Sequence, residues 1–226
     1  MLKKSAAIVV LAAMATWAAP AAFAQDAKTV LSNASKAMGA DNLKAIQYSG
    51  TGTEFAFGQA VNVSSPWPGF EDKSYTRTIN YETPAWRVDR VLADIPPNRR
   101  GGGLPPPPTQ TLVIGPNTSW AQQVDLWMTP YGFLRAAANN NASAKSQSVS
   151  GKKYTVVTFT APNKAKFNGY IDAQNMLDRV ETWIDTPMLG DTHLEVSYDG
   201  YKDFGGLKFP TAIVQKQGGY PTLDLR

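Results

Sequence analysis

Eight stretches of this chain share one habit: apolar residues recur at every second position, and glycine, proline, asparagine or aspartate closes each stretch. They begin with 46–57, where Ile46, Tyr48, Phe55 and Phe57 keep the alternation while Gly50 and Gly52 mark a bulge or a close backbone approach. The others are 74–81, 85–92, 111–114, 153–160, 177–185, 194–201 and 207–215, most of them rich in β-branched and aromatic side chains. Parallel strands need long crossovers, and few helical segments stand between these runs, so the strands join as antiparallel hairpins. Asp203-Phe204-Gly205-Gly206 supplies one such turn. The expected fold is mainly β (α+β): one large curved antiparallel sheet, or a half-open barrel.

Two segments change the period. From Asp26 to Met38 the apolar residues Ala27, Val30, Leu31, Ala34, Ala37 and Met38 fall three and four apart, which predicts an N-terminal helix stopped by Gly39. Further on, Thr129 caps and Pro130 opens a short covering helix whose apolar stripe is Phe133, Leu134, Ala137 and Ala138, ended by Asn139-Asn140-Asn141. Residues 96–108, with three glycines and four consecutive prolines, cannot pair as a central strand and read as a long exposed loop within a single domain, 25–226. The final run, Tyr220 to Arg226, starts an alternating strand and stops without a polar tail, the pattern of a chain truncated at its C-terminus.

Residues 1–24 read as a signal peptide. Lys3 and Lys4 precede an uncharged apolar run, and Ala22-Phe23-Ala24 offers small residues where an export peptidase cuts. The run is too short and alanine-rich for a stable membrane span, so the expected location is periplasmic or secreted. The absence of cysteine suits an oxidising compartment and excludes both disulfides and a lipid-modified cysteine. Without Lys3 and Lys4 the formal charge falls from +4 to +2 with both signs interspersed, which is no nucleic-acid footprint.

Catalytic motifs are scarce. A zinc site open to water needs about three protein donors, and the chain has one histidine, His193, and no cysteine. No Gly-x-Ser-x-Gly elbow is present, and Ser150-Gly151-Lys152-Lys153, which has the spacing of a serine–lysine nucleophile, reads as a hairpin turn. Among the carboxylates of 177–185, Glu181 and Asp185 are expected on one strand face with Asp178 opposite, as ordinary solvated charges. No catalytic residue, metal ligand or cofactor is assigned to this chain. The aromatic residues are more suggestive: Trp86, Trp127, Phe133 and Trp183 are the candidates for lining an apolar ligand site under the covering helix.

Several segments, among them Met38-Gly39-Ala40-Asp41-Asn42-Leu43, Trp127-Met128-Thr129-Pro130-Tyr131-Gly132-Phe133-Leu134 and Tyr201-Lys202-Asp203-Phe204-Gly205-Gly206-Leu207-Lys208-Phe209-Pro210, resemble the N-terminal region of exported bacterial metallo-β-lactamase-fold hydrolases. That resemblance implies a non-catalytic accessory or ligand-binding module, with a covalently following catalytic domain carrying the zinc and its His-x-His-x-Asp-His motif, which is absent here. The last of these segments also resembles a hairpin of periplasmic lipoprotein-carrier-like domains. This second resemblance implies a half-open antiparallel barrel and a stand-alone carrier of a lipid or other apolar molecule.

Overall fold

The structure is a computed structural model that describes residues 26–60, 62, 64–65, 67–93, 107–186 and 190–226. The signal peptide read at 1–24 and nearly all of the loop at 96–108 lie outside the described residues. The helices are α1 (Ala27–Met38), α2 (Trp120–Trp127) and α3 (Pro130–Asn139). The strands are β1 (Ala45–Phe55), β2 (Gly69–Asn80), β3 (Ala85–Leu92), β4 (Thr109–Ile114), β5 (Ser143–Val149), β6 (Lys152–Thr160) and β7 (Lys166–Ile171). They continue with β8 (Leu177–Thr186), β9 (Gly190–Asp199), β10 (Lys202–Asp203), β11 (Lys208–Phe209), β12 (Ala212–Gln217) and β13 (Tyr220–Leu225).

Eleven strands make one sheet in the order β4-β3-β2-β1-β13-β12-β9-β8-β7-β6-β5, with β10 and β11 as a separate small hairpin. Every neighbouring pair runs antiparallel. The two end strands, β4 and β5, do not pair with each other, so the sheet stays open. The strand at 220–225 takes a central place between β1 and β12. Two glycines admit it: a Cβ at Gly50 would stand 2.3 Å from the Arg226 carbonyl oxygen, and one at Gly52 would stand 2.4 Å from that of Asp224.

Curvature follows from two tyrosines. Tyr81 directly follows β2, and Tyr198 lies on β9, four strand positions away, a separation of about 19 Å in a flat sheet. Yet the Tyr81 hydroxyl reaches Thr129 Oγ1 at 3.1 Å and the Tyr198 hydroxyl donates to the Met128 carbonyl. Both ends of that span meet adjacent residues at the α2–α3 corner, so the sheet curls around the helices.

The helices fill the inner face. α1 buries Val30, Leu31, Ala34 and Met38. Asp26 caps it, and Gly39 ends it in the left-handed conformation with φ 71°. Thr129 caps α3 by accepting from the Gly132 N–H, with Pro130 at the first position, as the sequence predicts. Phe133 is fully buried and sits directly over Gly169 of β7, where a Cβ would lie 2.2 Å from its ring.

Three elements escape the periodicity. β5, Ser-Ala-Lys-Ser-Gln-Ser-Val, buries only Ala144 and is a polar edge strand. β7 is short and carries Gly169 where an apolar residue would otherwise mark the inner face. α2 has eight residues, and its N-cap Ser119 makes no side-chain cap hydrogen bond.

Gly169→Ala is expected to destabilise the fold by about 1–3 kcal/mol through overpacking against Phe133, read as a lower urea midpoint. Adding Phe133→Leu to that variant should recover part of the loss.

Candidate functional site

The antiparallel registers show which side chains share the inner face. Tyr48 on β1, Arg77 on β2 and Val88 on β3 stand opposite one another, and further along the same strands so do Ile46, Ile79 and Trp86. On the other side of β1, Leu223 stands opposite Glu54 and Leu225 opposite Gly52. The helices pack against β3 on one flank of this face and against β5, β6 and β8 on the other, and two open cavities lie in the trough along β1 and β13 between them.

The first cavity, about 410 Å³, lies where the β10–β11 hairpin meets the sheet, and its walls include Ile46, Tyr48, Leu207, Phe209, Ile213 and Leu225. Phe209 packs on Tyr48 with ring centroids 4.7 Å apart. The hairpin is held from both sides: Tyr131 of α3 donates to the Lys208 carbonyl, and Gly39 lies so close to Gly206 that a Cβ there would be 1.9 Å from the Gly206 carbonyl oxygen. Asp203 closes the turn by accepting from the Gly206 N–H at 2.6 Å, the role read for this segment in the sequence. Phe204 stands at the rim, 59% exposed.

The second cavity, about 390 Å³, lies toward the other end of the same trough and is far more polar. Its walls include Glu54, Arg77, Trp86, Arg90, Asp125 and Leu223. Arg90 pairs with Glu54 and also donates to Gln110. Arg77 is 6% exposed, and its guanidinium lies 4.5 Å from the centre of the Trp86 ring. Burial works against its charge, but Tyr48, Tyr75 and the Asp125 carboxylate act the other way, and the net shift raises its pKa above the ordinary arginine value. It is a permanent cation. Its Nε and Nη2 have no hydrogen-bond partner, and neither does the buried Nε1 of Trp86.

Asp72 faces the same side of β2, opposite Gly52 and Leu92, because a register shift before Ser74 keeps it in phase with Tyr75 and Arg77. It is buried, both carboxyl oxygens lack partners, and desolvation pushes its pKa up to about 6.

The four aromatic candidates do not share one place. Trp86 alone lines either of these two cavities. Trp127 is half-buried against the core, and Phe133 is fully buried, 5.6 Å from Phe159 ring to ring. Trp183 projects from the opposite face of the sheet, 58% exposed, with its ring 5.1 Å from that of His193. On that outer face His193 Nε2 lies 3.4 Å from Glu181, which also accepts from Tyr170 and Asn168.

The placement of Asp178 differs from the sequence reading. A bulge in β8 between Leu177 and Arg179 turns Asp178 to the outer face, where it accepts from Lys152 at 2.6 Å and from the Tyr154 hydroxyl at 3.0 Å. Strict alternation, which put it opposite Glu181, fails at that extra residue. Ser150 and Gly151 form the β5–β6 turn with φ 49° and 81°, so that motif is a hairpin turn.

Arg77, Arg90 and Asp72 are absent from the sequence-based candidates. Arg77 did carry a signal: it occupies the apolar phase of Tyr75-Arg77-Ile79, where a strand that buries one face seldom places a charge. Among the described residues no three His, Cys, Asp or Glu side chains come together as a metal site, and no helix is long and apolar enough to cross a membrane.

No family model matches the chain, and no curated protein matches it. Among solved structures it is similar to the crystal structure of a LolA superfamily protein from Nitrosomonas europaea, at 12% identity and a TM-score of 0.45, over 88% of this chain and 91% of that one. Nothing in these comparisons supports the metallo-β-lactamase-fold resemblance.

Two outcomes are expected of the buried charges. Arg77→Met, which replaces an incompletely bonded buried cation by an apolar side chain of similar length, should leave the urea-unfolding free energy within about 1 kcal/mol of the parent or raise it. Asp72 holds its proton more tightly folded than unfolded, so it lowers stability as pH rises from about 4 through about 6, and the loss is complete above that. Asp72→Asn should therefore flatten the stability–pH curve in that window and be the more stable form at neutral pH, as thermal melts across the range will show.

Proposed function

We propose that this chain is an exported carrier that holds an apolar or amphipathic small molecule in the trough of its open sheet. The observation that carries this reading is the cavity of about 410 Å³ beneath the β10–β11 hairpin, walled by side chains of β1, β12 and β13 and open to solvent. An apolar-walled cleft of this kind is the usual setting for an apolar ligand. This gap is bounded by elements fixed elsewhere, and Phe204 offers an apolar surface at its mouth. The reading of 1–24 as a signal peptide supports a carrier that works outside the cytoplasm. Neither the fold nor the comparisons bear on the accessory-module reading.

The purified protein is expected to retain lipid detectable by native mass spectrometry and to bind a fluorescent fatty acid. Leu207→Glu, which puts a carboxylate in the apolar wall, should weaken that probe by about tenfold or more. Ligand-free material with no affinity for the probe would end the proposal.

A further inference from the structure

The Arg77 guanidinium meets the Tyr48 and Tyr75 hydroxyls, but two of its nitrogens have no partner in the fold as it stands. A guanidinium has five N–H groups, and leaving several of them buried and unbonded costs more than the same omission at a neutral group. The pattern of burial usually runs the other way, with buried arginines bonded at every nitrogen. Here Nε, Nη2 and the indole Nε1 of Trp86 all lack partners, and Arg77 and Trp86 both line the same open cavity. Asp125 faces this cavity too, yet accepts from neither Nε nor Nη2 of Arg77. Glu54 is already taken by Arg90.

Nε and Nη2 are the edge of a guanidinium that grips two oxygens at once, and Trp86 holds the plane of that edge from one side. The cavity adjoins the apolar one along a shared wall: Tyr48 lines one and its cross-strand partner Arg77 the other, as do Leu225 and Leu223, two positions apart on β13. We infer that Arg77 and Trp86 form an oxyanion subsite, receiving the carboxylate or phosphate head of an amphiphile whose tail occupies the cavity between Tyr48 and Leu225. This inference rests on the carrier reading for the tail, while the oxyanion subsite stands on the donors themselves. The same donors suit a small oxyanion, and the test separates the two sources.

The experiment is displacement of a fluorescent fatty acid by oleate and by methyl oleate, with a separate thermal-melt titration using sodium phosphate, on the parent and on Arg77→Met. The parent is expected to bind oleate about tenfold more tightly than its ester, and Arg77→Met to erase that preference while ester affinity stays within about twofold. Phosphate alone raising the melting temperature of the parent, but not of the variant, would identify the ligand as a small oxyanion and support the subsite. Equal binding of acid and ester by the parent together with no phosphate effect would overturn the inference, as would an acid preference or a phosphate effect that survives in Arg77→Met. Methyl oleate binding in that case leaves the carrier reading standing, whereas failure of both oleate and its ester to bind removes that reading and leaves the subsite to the phosphate result. Should Arg77→Met not fold, Arg77→Lys, which keeps a cation without the two-pronged edge, is expected to cut the acid preference several-fold, and an undiminished preference would count against the subsite.

Discussion

The hydroxyl of Thr129 is the point on which the two halves of this molecule turn. It donates to the Leu126 carbonyl at 2.6 Å, closing the end of α2, and accepts from the Gly132 N–H at 3.2 Å, opening α3. With its own proton spent on Leu126, its bond to Tyr81 has Tyr81 as donor. Tyr198 reaches the neighbouring Met128 carbonyl from the far side of the sheet. Arg135 of α3 adds bonds to the Tyr81 and Leu43 carbonyls. A single buried corner thus sets where the helices sit and how tightly the sheet curls. Such bonds contribute about 1 kcal/mol each when made, but a buried partner left alone costs about 1–3 kcal/mol, so the set is more exacting than its net strength suggests. Space reinforces it: a Cβ at Gly132 would stand 2.0 Å from the Leu126 oxygen.

Most of the strands were legible because half-buried strands must alternate, and β3 runs over the residues its alternation predicts, 85–92. α1 and α3 were legible for a related reason, since their apolar stripes and caps are local. What the sequence hid was everything decided by a neighbour. β5 has almost no apolar residue of its own and exists because β6 offers it an unpaired edge. Gly169 looks like a weak strand residue until Phe133 is placed above it. Asp178 and Asp72 each depend on a bulge, one extra residue that reverses facing from that point on and leaves no mark in composition.

The candidate site was harder still, and for a physical reason. Aromatic residues announce bulk, and bulk serves a core and a cavity wall equally, so Trp86, Phe133 and Trp183 read alike although one lines a cavity, one is sealed in the core and one faces solvent. The informative residues were those that break the pattern rather than exemplify it. Arg77 sits in phase with Tyr75 and Ile79, where desolvation penalises a charge, and its presence there needs a reason that Tyr75 and Ile79 do not.

That reason and the open sheet are connected. The helix corner is fastened to Tyr81 and Tyr198, and Phe133 fills the space above β7, so the helices are committed to the flanks. The inner face of β1 and β13 lies between these attachments, and its floor is thinned by Gly50 and Gly52, which present no side chains and let the 224–226 backbone press close. Closing the trough would require moving a helix that several buried hydrogen bonds hold in place. An uncovered trough with one buried cation in its wall is therefore a consequence of how the cover is attached, and any ligand there is held by a site whose shape is set by contacts it does not itself make.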